Sequence, residues 1–279
     1  MRNTLAMKLV LPALFAVALA GDAQQSTSPL MRNASASGGL TSARRGNAHN
    51  TTIVLVHGAW ADGTGWQDVI PVLQRESYKV IAVQNPLTAL ETDVETTKRV
   101  IDAETKKGRR VVVVGHSYGG AVMSGAAAGN SGVRGLVYIA AFAPAAGEPI
   151  GAFLEKYPTD LPTAFEPDAA GFLYLSAEKY RPIFAADLPE RQTRVMQAAQ
   201  KPAKGAIFGQ ANAAAAWLTI PSWYVVAQED KAINPGLQRF YAKRMKAGTT
   251  EIKGSHVVFI SRANQVAKVI LEAAATAER

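Results

Sequence analysis

Ser117 stands in the string Gly115-His116-Ser117-Tyr118-Gly119, a G-x-S-x-G pattern placed directly after four consecutive valines, Val111 to Val114. A serine on a sharp turn between a strand and a helix is held in a strained backbone conformation that projects its hydroxyl above the sheet, at a helix N-terminus that favours developing negative charge. The glycines two residues either side let neighbouring backbone pass closely, and Gly120 extends the pattern. A serine hydroxyl becomes a nucleophile only beside a base. Of the four histidines, His49 lies in a polar N-terminal stretch, and His57 and His116 sit at strand ends, where they are read as orienting local backbone. His256, in Gly254-Ser255-His256 after the last strand-like run, is the candidate base. The base in turn needs a carboxylate to fix its tautomer and stabilise the imidazolium. Asp230, just beyond the run Trp223–Ala227, is the candidate acid, with its neighbour Glu229 as rival. Other acids, such as Asp187, fall in a different part of the chain and are read as solvated. Two backbone N–H groups are also required to hold an oxyanion. Tyr118, next to the nucleophile, offers one. Ala59, in the turn His57-Gly58-Ala59-Trp60, offers the other.

Composition narrows the alternatives. The chain of 279 residues has no cysteine, which excludes cysteine nucleophiles, iron–sulfur clusters and thiolate zinc sites. Four histidines make a histidine-built metal cage improbable on numbers alone. The net charge is +8, but Arg2, Lys8, Arg32, Arg44 and Arg45 against the single acid Asp22 place about half of that surplus before residue 51. What remains is scattered in pairs such as Lys106–Lys107 and Arg109–Arg110. It has none of the aromatic-and-basic patterning of a nucleic-acid site, so no nucleic-acid partner is expected.

Arg2 and Lys8 precede an apolar run from Leu9 to Ala20, too short to span a bilayer and closed by the small-x-small string Ala18-Leu19-Ala20. Residues 1–20 are therefore expected to be an export signal cleaved before Gly21, leaving a periplasmic or secreted protein with no stable membrane anchor. Residues 21–50 are rich in Ser, Thr, Asn, Gln and Gly and read as a disordered linker, unable to bury enough surface to offset the entropy of ordering.

From residue 51 the pattern changes. Ile53–Val56, Val80–Val83, Val111–Val114, Leu136–Ile139, Trp223–Val226 and Thr249–Lys253 read as strands, several of them continuously apolar, as strands buried on both faces are. Between them lie segments with helical spacing. Glu91–Lys107 forms a polar helix with Val94 and Ile101 inward, and Ala121–Ala128 a tightly packed small-residue helix. A helix follows from about Pro235 to Lys246, and a last one turns Val266, Val269, Ile270, Ala273 and Ala274 to one face. Pro71 interrupts a helical pattern around Val69 and Leu73, which fits a helix capped at Asp68 or a kinked longer one. Strand–helix alternation gives an α/β fold, a mostly parallel, doubly wound sheet with helices on both faces. The alternation stops between about residues 144 and 220, where no strand-like run is seen. This block is expected to be an inserted, mainly helical cap at the carboxyl edge of the sheet, where ligands bind in such folds. Phe153, Phe165, Phe172, Tyr174, Tyr180, Phe184, Phe208 and Trp217 make it aromatic, suited to its own small core and to lining an apolar pocket.

The strings Val54-Leu55-Val56-His57-Gly58-Ala59-Trp60, Gly115-His116-Ser117-Tyr118-Gly119-Gly120 and Gly254-Ser255-His256 resemble the α/β-hydrolase superfamily. More closely, they resemble the branch of plant methylesterases, hydroxynitrile lyases and exported bacterial hydrolases. The resemblance runs from about Thr52 to the C-terminus. It implies Ser117, Asp230 and His256 as nucleophile, acid and base, and Ala59 and Tyr118 as oxyanion donors. The expected activity is hydrolysis of a small, apolar or aromatic carboxylic ester through an acyl-enzyme, with no cofactor and no metal. A cyanohydrin lyase using the same three residues and a non-catalytic small-ligand binder are the alternatives. The lyases of the branch look to carry a lysine directly after the histidine, where this chain has Val257, and a threonine where it has Gly58.

Overall fold

The computed structural model describes residues 49–279. The expected export signal, its cleavage point and the polar stretch up to residue 48 lie outside the described residues. The last two residues of the expected linker are held by the folded body: the His49 ring stacks on Tyr78 at 3.9 Å, and the Asn50 carbonyl accepts from the Arg110 N–H.

Six strands form one all-parallel sheet: β1 Thr51–Val56, β2 Lys79–Ala82, β3 Arg110–His116, β4 Val133–Ile139, then β8 Ser222–Ala227 and β9 Gly248–Ile252. Their order across the sheet is β2-β1-β3-β4-β8-β9. The central strands are buried on both faces, as Ile53–Val56 and Val111–Val114 at 0% exposure show. Each such side chain contributes roughly 1.5–3 kcal/mol by leaving water. The outermost strand, β9, carries Thr249, Thr250 and Glu251 exposed, as an edge strand that must stay unpaired should.

Helices cover both faces. Helix α1 (Ile70–Arg75) and the C-terminal helix α8 (Ala263–Ala277) pack together on one face, and α2 (Leu90–Thr105) and α3 (Tyr118–Ala127) on the other. The inward residues of α8 are Val266, Val269, Ile270, Ala273 and Ala274, all buried. Pro71 proves to be a helix-start residue: α1 begins at Ile70 with Pro71 in its first turn and no side-chain cap, so Asp68 caps nothing. The capping aspartate is Asp62, which accepts from the Thr64 N–H at the head of the short 3-10 turn Gly63–Trp66.

Chain order decides where a site can form. The strand sequence runs outward from β1 to β2, then returns to β3 on the other side of β1, so the switch point lies between β1 and β3. The crevice outside the carboxyl ends of those strands is where such sheets bind ligands. His57–Trp60 follow β1 and Ser117–Tyr118 follow β3.

The insertion after β4 is mainly helical, with α4 (Ala177–Lys179), a π-turn at Tyr180–Phe184, α5 (Glu190–Ala198) and three 3-10 turns. It also contains a small antiparallel sheet of β5 (Phe165–Pro167), β6 (Phe172–Leu175) and β7 (Ala203–Lys204). These strands depart from the expectation of a block with no strand-like run. The strands are two to four residues long and one contains Pro167, so neither length nor alternation marks them. After the insertion, α6 (Pro235–Arg244) packs beside β8, and α7 (Val258–Ser261) leads into α8.

Candidate active site

Ser117 sits at the turn from β3 into α3 with φ 54° and ψ −124°, a left-handed conformation that a side chain normally avoids. The turn is fastened on both sides: Ser117 N–H donates to the Ile139 carbonyl, and the Ser117 carbonyl accepts from Gly120 and Phe142 N–H. The flanking glycines are steric necessities. A Cβ on Gly115 would lie 2.6 Å from the Gly119 carbonyl oxygen, and one on Gly119 2.5 Å from that of Val56. The β1 loop closes on the same point, since a Cβ on Gly58 would lie 2.8 Å from the Ser117 Cβ. Neither the Ala59 nor the Tyr118 backbone N–H finds an acceptor among the described residues, although both residues are almost sealed from solvent. Tyr118 is fixed at its far end, where its hydroxyl donates to the buried Asp93 at 2.8 Å. Burial raises both of these groups above their ordinary pKa, so the tyrosine keeps its proton.

His256 and Asp230 are brought together as a buried pair, Nδ1 to Oδ2 at 2.7 Å, with side chains 1% and 0% exposed. The carboxylate is the acceptor, so in the neutral ring Nδ1 carries the proton and Nε2 has the lone pair. Asp230 is fully satisfied: Oδ1 accepts from Ala232 and Ile233 N–H, and Oδ2 also accepts from Gln238 Nε2. Gln238 was not anticipated from sequence. Its one signal is a polar residue beside Leu237 on the buried face of α6. Glu229 is exposed, and among the described residues its carboxylate reaches only Lys253, at 3.6 Å. His116 Nε2 donates to the His256 carbonyl, and its ring packs on the His256 ring at a centroid distance of 4.6 Å. Ser117, the next residue, thus shares its neighbourhood with His256. Neither the Ser117 hydroxyl nor His256 Nε2 makes a hydrogen bond among the described residues.

Asp187 corrects the sequence reading. It is not merely solvated: Oδ2 accepts from the Ser255 N–H and the Ser261 hydroxyl, and Oδ1 from the Ser255 hydroxyl. His57 and His116 both bond to backbone as expected. His57 Nε2 accepts from the Asn85 N–H at 3.0 Å, and its Nδ1 lies 2.8 Å from the Gly58 carbonyl. Burial lowers the His57 pKa from 6.5 to about 4, and His116 is lowered by the same cause. The folded state therefore holds both rings neutral while the unfolded chain takes up protons as pH falls below 6.5. The His57 contribution is present above that pH and is lost between 6.5 and about 4, and the His116 contribution likewise declines as pH falls below 6.5. The unfolding temperature is expected to fall across this window, less steeply in His57→Gln. A thermal-unfolding series that is flat from pH 6.5 to 4 would contradict this.

A cavity of about 310 Å³ has Phe142, Leu154, Phe165, Leu173, Phe208 and Ala232 among its walls, no charged side chain, and none of Ser117, Asp230 and His256 in its lining. Phe142 donates its N–H to the Ser117 carbonyl and Ala232 donates to Asp230, so two walls touch the two ends of the site. Phe208 also stacks on Trp60 at 6.0 Å. Of the cap aromatics, Phe165 and Phe208 line this cavity. Phe153 packs with Phe240 and Tyr241, and Phe184 lies against the His256 ring. Larger hollows elsewhere are likewise lined by none of the site residues, and none of them has a wall residue bonded to Ser117 or Asp230. No group of three or more potential metal ligands occurs among the described residues.

A parallel sheet with a serine turn at its switch point, and a buried histidine–aspartate pair beside that turn, defines a hydrolase architecture. The chain belongs to the alpha/beta hydrolase family, whose model matches residues 53–269. It is 28% identical over 218 residues to a probable hydrolase of the fungus Phoma, covering 74% of this chain and 87% of that one. Over 115 residues it is 34% identical to a carbendazim hydrolyzing esterase of Nocardioides, covering 37% and 47%. Among solved structures it resembles a pyrethroid hydrolase from Sphingobium faniae, with TM-score 0.70, 25% identity and coverage of 81% of this chain and 98% of that one. It shares its fold with a methylesterase from Arabidopsis, with TM-score 0.66, 16% identity and coverage of 81% and 99%.

Proposed function

We propose that the protein is an exported serine hydrolase of neutral carboxylic esters. The observation that carries this reading is the sealed His256–Asp230 pair beside a serine held at positive φ. Ser117 Oγ attacks the ester carbonyl carbon while His256 Nε2 takes the hydroxyl proton. The Ala59 and Tyr118 N–H groups, with no acceptor of their own, stabilise the oxyanion. Such donors are worth about 3–4 kcal/mol each when removed from comparable sites. The alkoxide leaves with the proton from His256, and a water deprotonated by His256 then releases the acid from Ser117. The uncharged cavity favours an apolar or ring-bearing acyl or alcohol group, in keeping with relatives named for acting on pyrethroids and carbendazim. Against cyanohydrin cleavage stand Val257, which brings no charge to a departing cyanide, and Gly58, which leaves the space beside Ser117 open.

Two outcomes check this. A short-chain nitrophenyl ester is expected to be cleaved, with no cyanide released from mandelonitrile above the buffer rate. Ser117-dependent cyanide release without esterase activity overturns the reading. The exported form is expected to begin near Gly21, as read by N-terminal sequencing of periplasmic or culture-medium material. A cytoplasmic chain starting at Met1 contradicts export.

A further inference from the structure

We propose that Asp187, carried by the cap, is a positioning residue for the His256 base. This rests on the reading of His256 as the base. The loop from Gly254 to Ser261 is tied to the sheet side by the Glu229 N–H to Gly254 carbonyl bond and by His116 on the His256 carbonyl. Its other side meets the cap. There the Asp187 carboxylate grips the loop either side of the histidine, at Ser255 through both N–H and hydroxyl and at Ser261 through the hydroxyl, 2.6 Å away. Burial by itself would raise the Asp187 pKa, but these hydrogen bonds hold it below the usual carboxylate range, so it is an ionised acceptor at neutral pH. Hydrogen bonds to a charged acceptor are the strong ones.

The local sequence is built for this contact. A Cβ on Gly254 would lie 3.2 Å from Asp187 Oδ2 and 2.8 Å from Val258 Cγ2, so any larger residue would push the carboxylate or the helix away. Ser255 supplies the hydroxyl. Three residues before Asp187, Phe184 ends the π-turn Tyr180–Phe184 and packs on the His256 ring at 4.9 Å. One cap segment therefore fixes both the ring and the backbone of the base. The cap is thus a support for the proton-transfer step as well as a pocket wall. Misplacing a reacting group by about 1 Å can cost roughly 100-fold in rate.

The test compares Asp187→Ala, Asp187→Asn, Ser255→Ala and the double variant Asp187→Ala/Ser255→Ala in the full chain. The readouts are kcat, KM and unfolding temperature with a nitrophenyl ester. Asp187→Ala is expected to lower kcat about 10- to 100-fold with KM within about twofold. Asp187→Asn keeps an acceptor oxygen for Ser255 and recovers most of that loss. Ser255→Ala lowers kcat by less than Asp187→Ala, and the double variant falls no further than Asp187→Ala. Unchanged kcat in a folded Asp187→Ala protein, a loss confined to KM, or equal losses in the Asn and Ala variants overturns the proposal. If Asp187→Ala does not fold, Ser255→Ala decides, and normal kcat there overturns it. Ser117→Ala run alongside separates the two claims. Full activity in Asp187→Ala with an inactive Ser117→Ala removes only the positioning role, whereas an active Ser117→Ala removes the serine-hydrolase reading.

Discussion

Ser117→Ala is expected to lower kcat by several orders of magnitude, on the order of 10⁶-fold where nucleophile and base act as one unit. The residual rate over water reflects only the oxyanion donors and the apolar cavity, which the substitution leaves in place. The variant should fold as the wild type does. The Ser117 side chain makes no hydrogen bond among the described residues, and alanine meets the same backbone strain at φ 54°. Loss of activity can then be assigned to the missing hydroxyl, as steady-state kinetics on protein with an unchanged unfolding temperature would show. Near-normal turnover would remove Ser117 from the chemistry.

Asp230→Asn is expected to cost about 10⁴-fold in kcat. The carboxylate accepts four hydrogen bonds and donates none, which sets the His256 tautomer with Nε2 free. An amide oriented to keep its oxygen toward Ala232 and Ile233 turns an NH₂ toward His256 Nδ1 and Gln238 Nε2. The imidazole then carries its proton on the wrong nitrogen, and Gln238 loses an acceptor. Glu229→Gln should leave kcat within about twofold, because an exposed ion pair such as Glu229–Lys253 contributes little. A damaging Glu229→Gln beside a mild Asp230→Asn would reverse the assignment of the acid.

The parts of the molecule legible in the sequence are those whose physics is local. Val111–Val114 announce a strand buried on both faces because a parallel strand leaves no polar face to alternate. The serine turn is legible because its glycines fall within five residues: Gly115 makes room for the Gly119 carbonyl close by, although Gly119 itself makes room for the remote Val56 carbonyl. Asp230 and His256 are separated by 26 positions, yet each follows a strand end, and strand ends share one edge of the sheet. What escaped notice depends on partners remote in sequence. Asp187 meets Ser255 from 68 residues away, and nothing near it distinguishes it from a solvated acid. Gln238 reaches Asp230 only because α6 turns it inward. The β5-β6-β7 sheet is held by pairing between short pieces, one of which, β7, is also tied to the body by the Lys204 N–H on the Leu87 carbonyl. No periodicity can reveal strands of that length.

The serine nucleophile is tested most directly by covalent labelling. Incubation of the purified full chain with a fluorophosphonate should add one phosphonyl group, and fragmentation of the digested protein should place it on Ser117, in the peptide containing His116 and Tyr118. The adduct should be absent from Ser117→Ala and much slower to form in Asp230→Asn. An unlabelled wild-type protein that nonetheless cleaves the ester, or a label carried by another residue, would contradict the account.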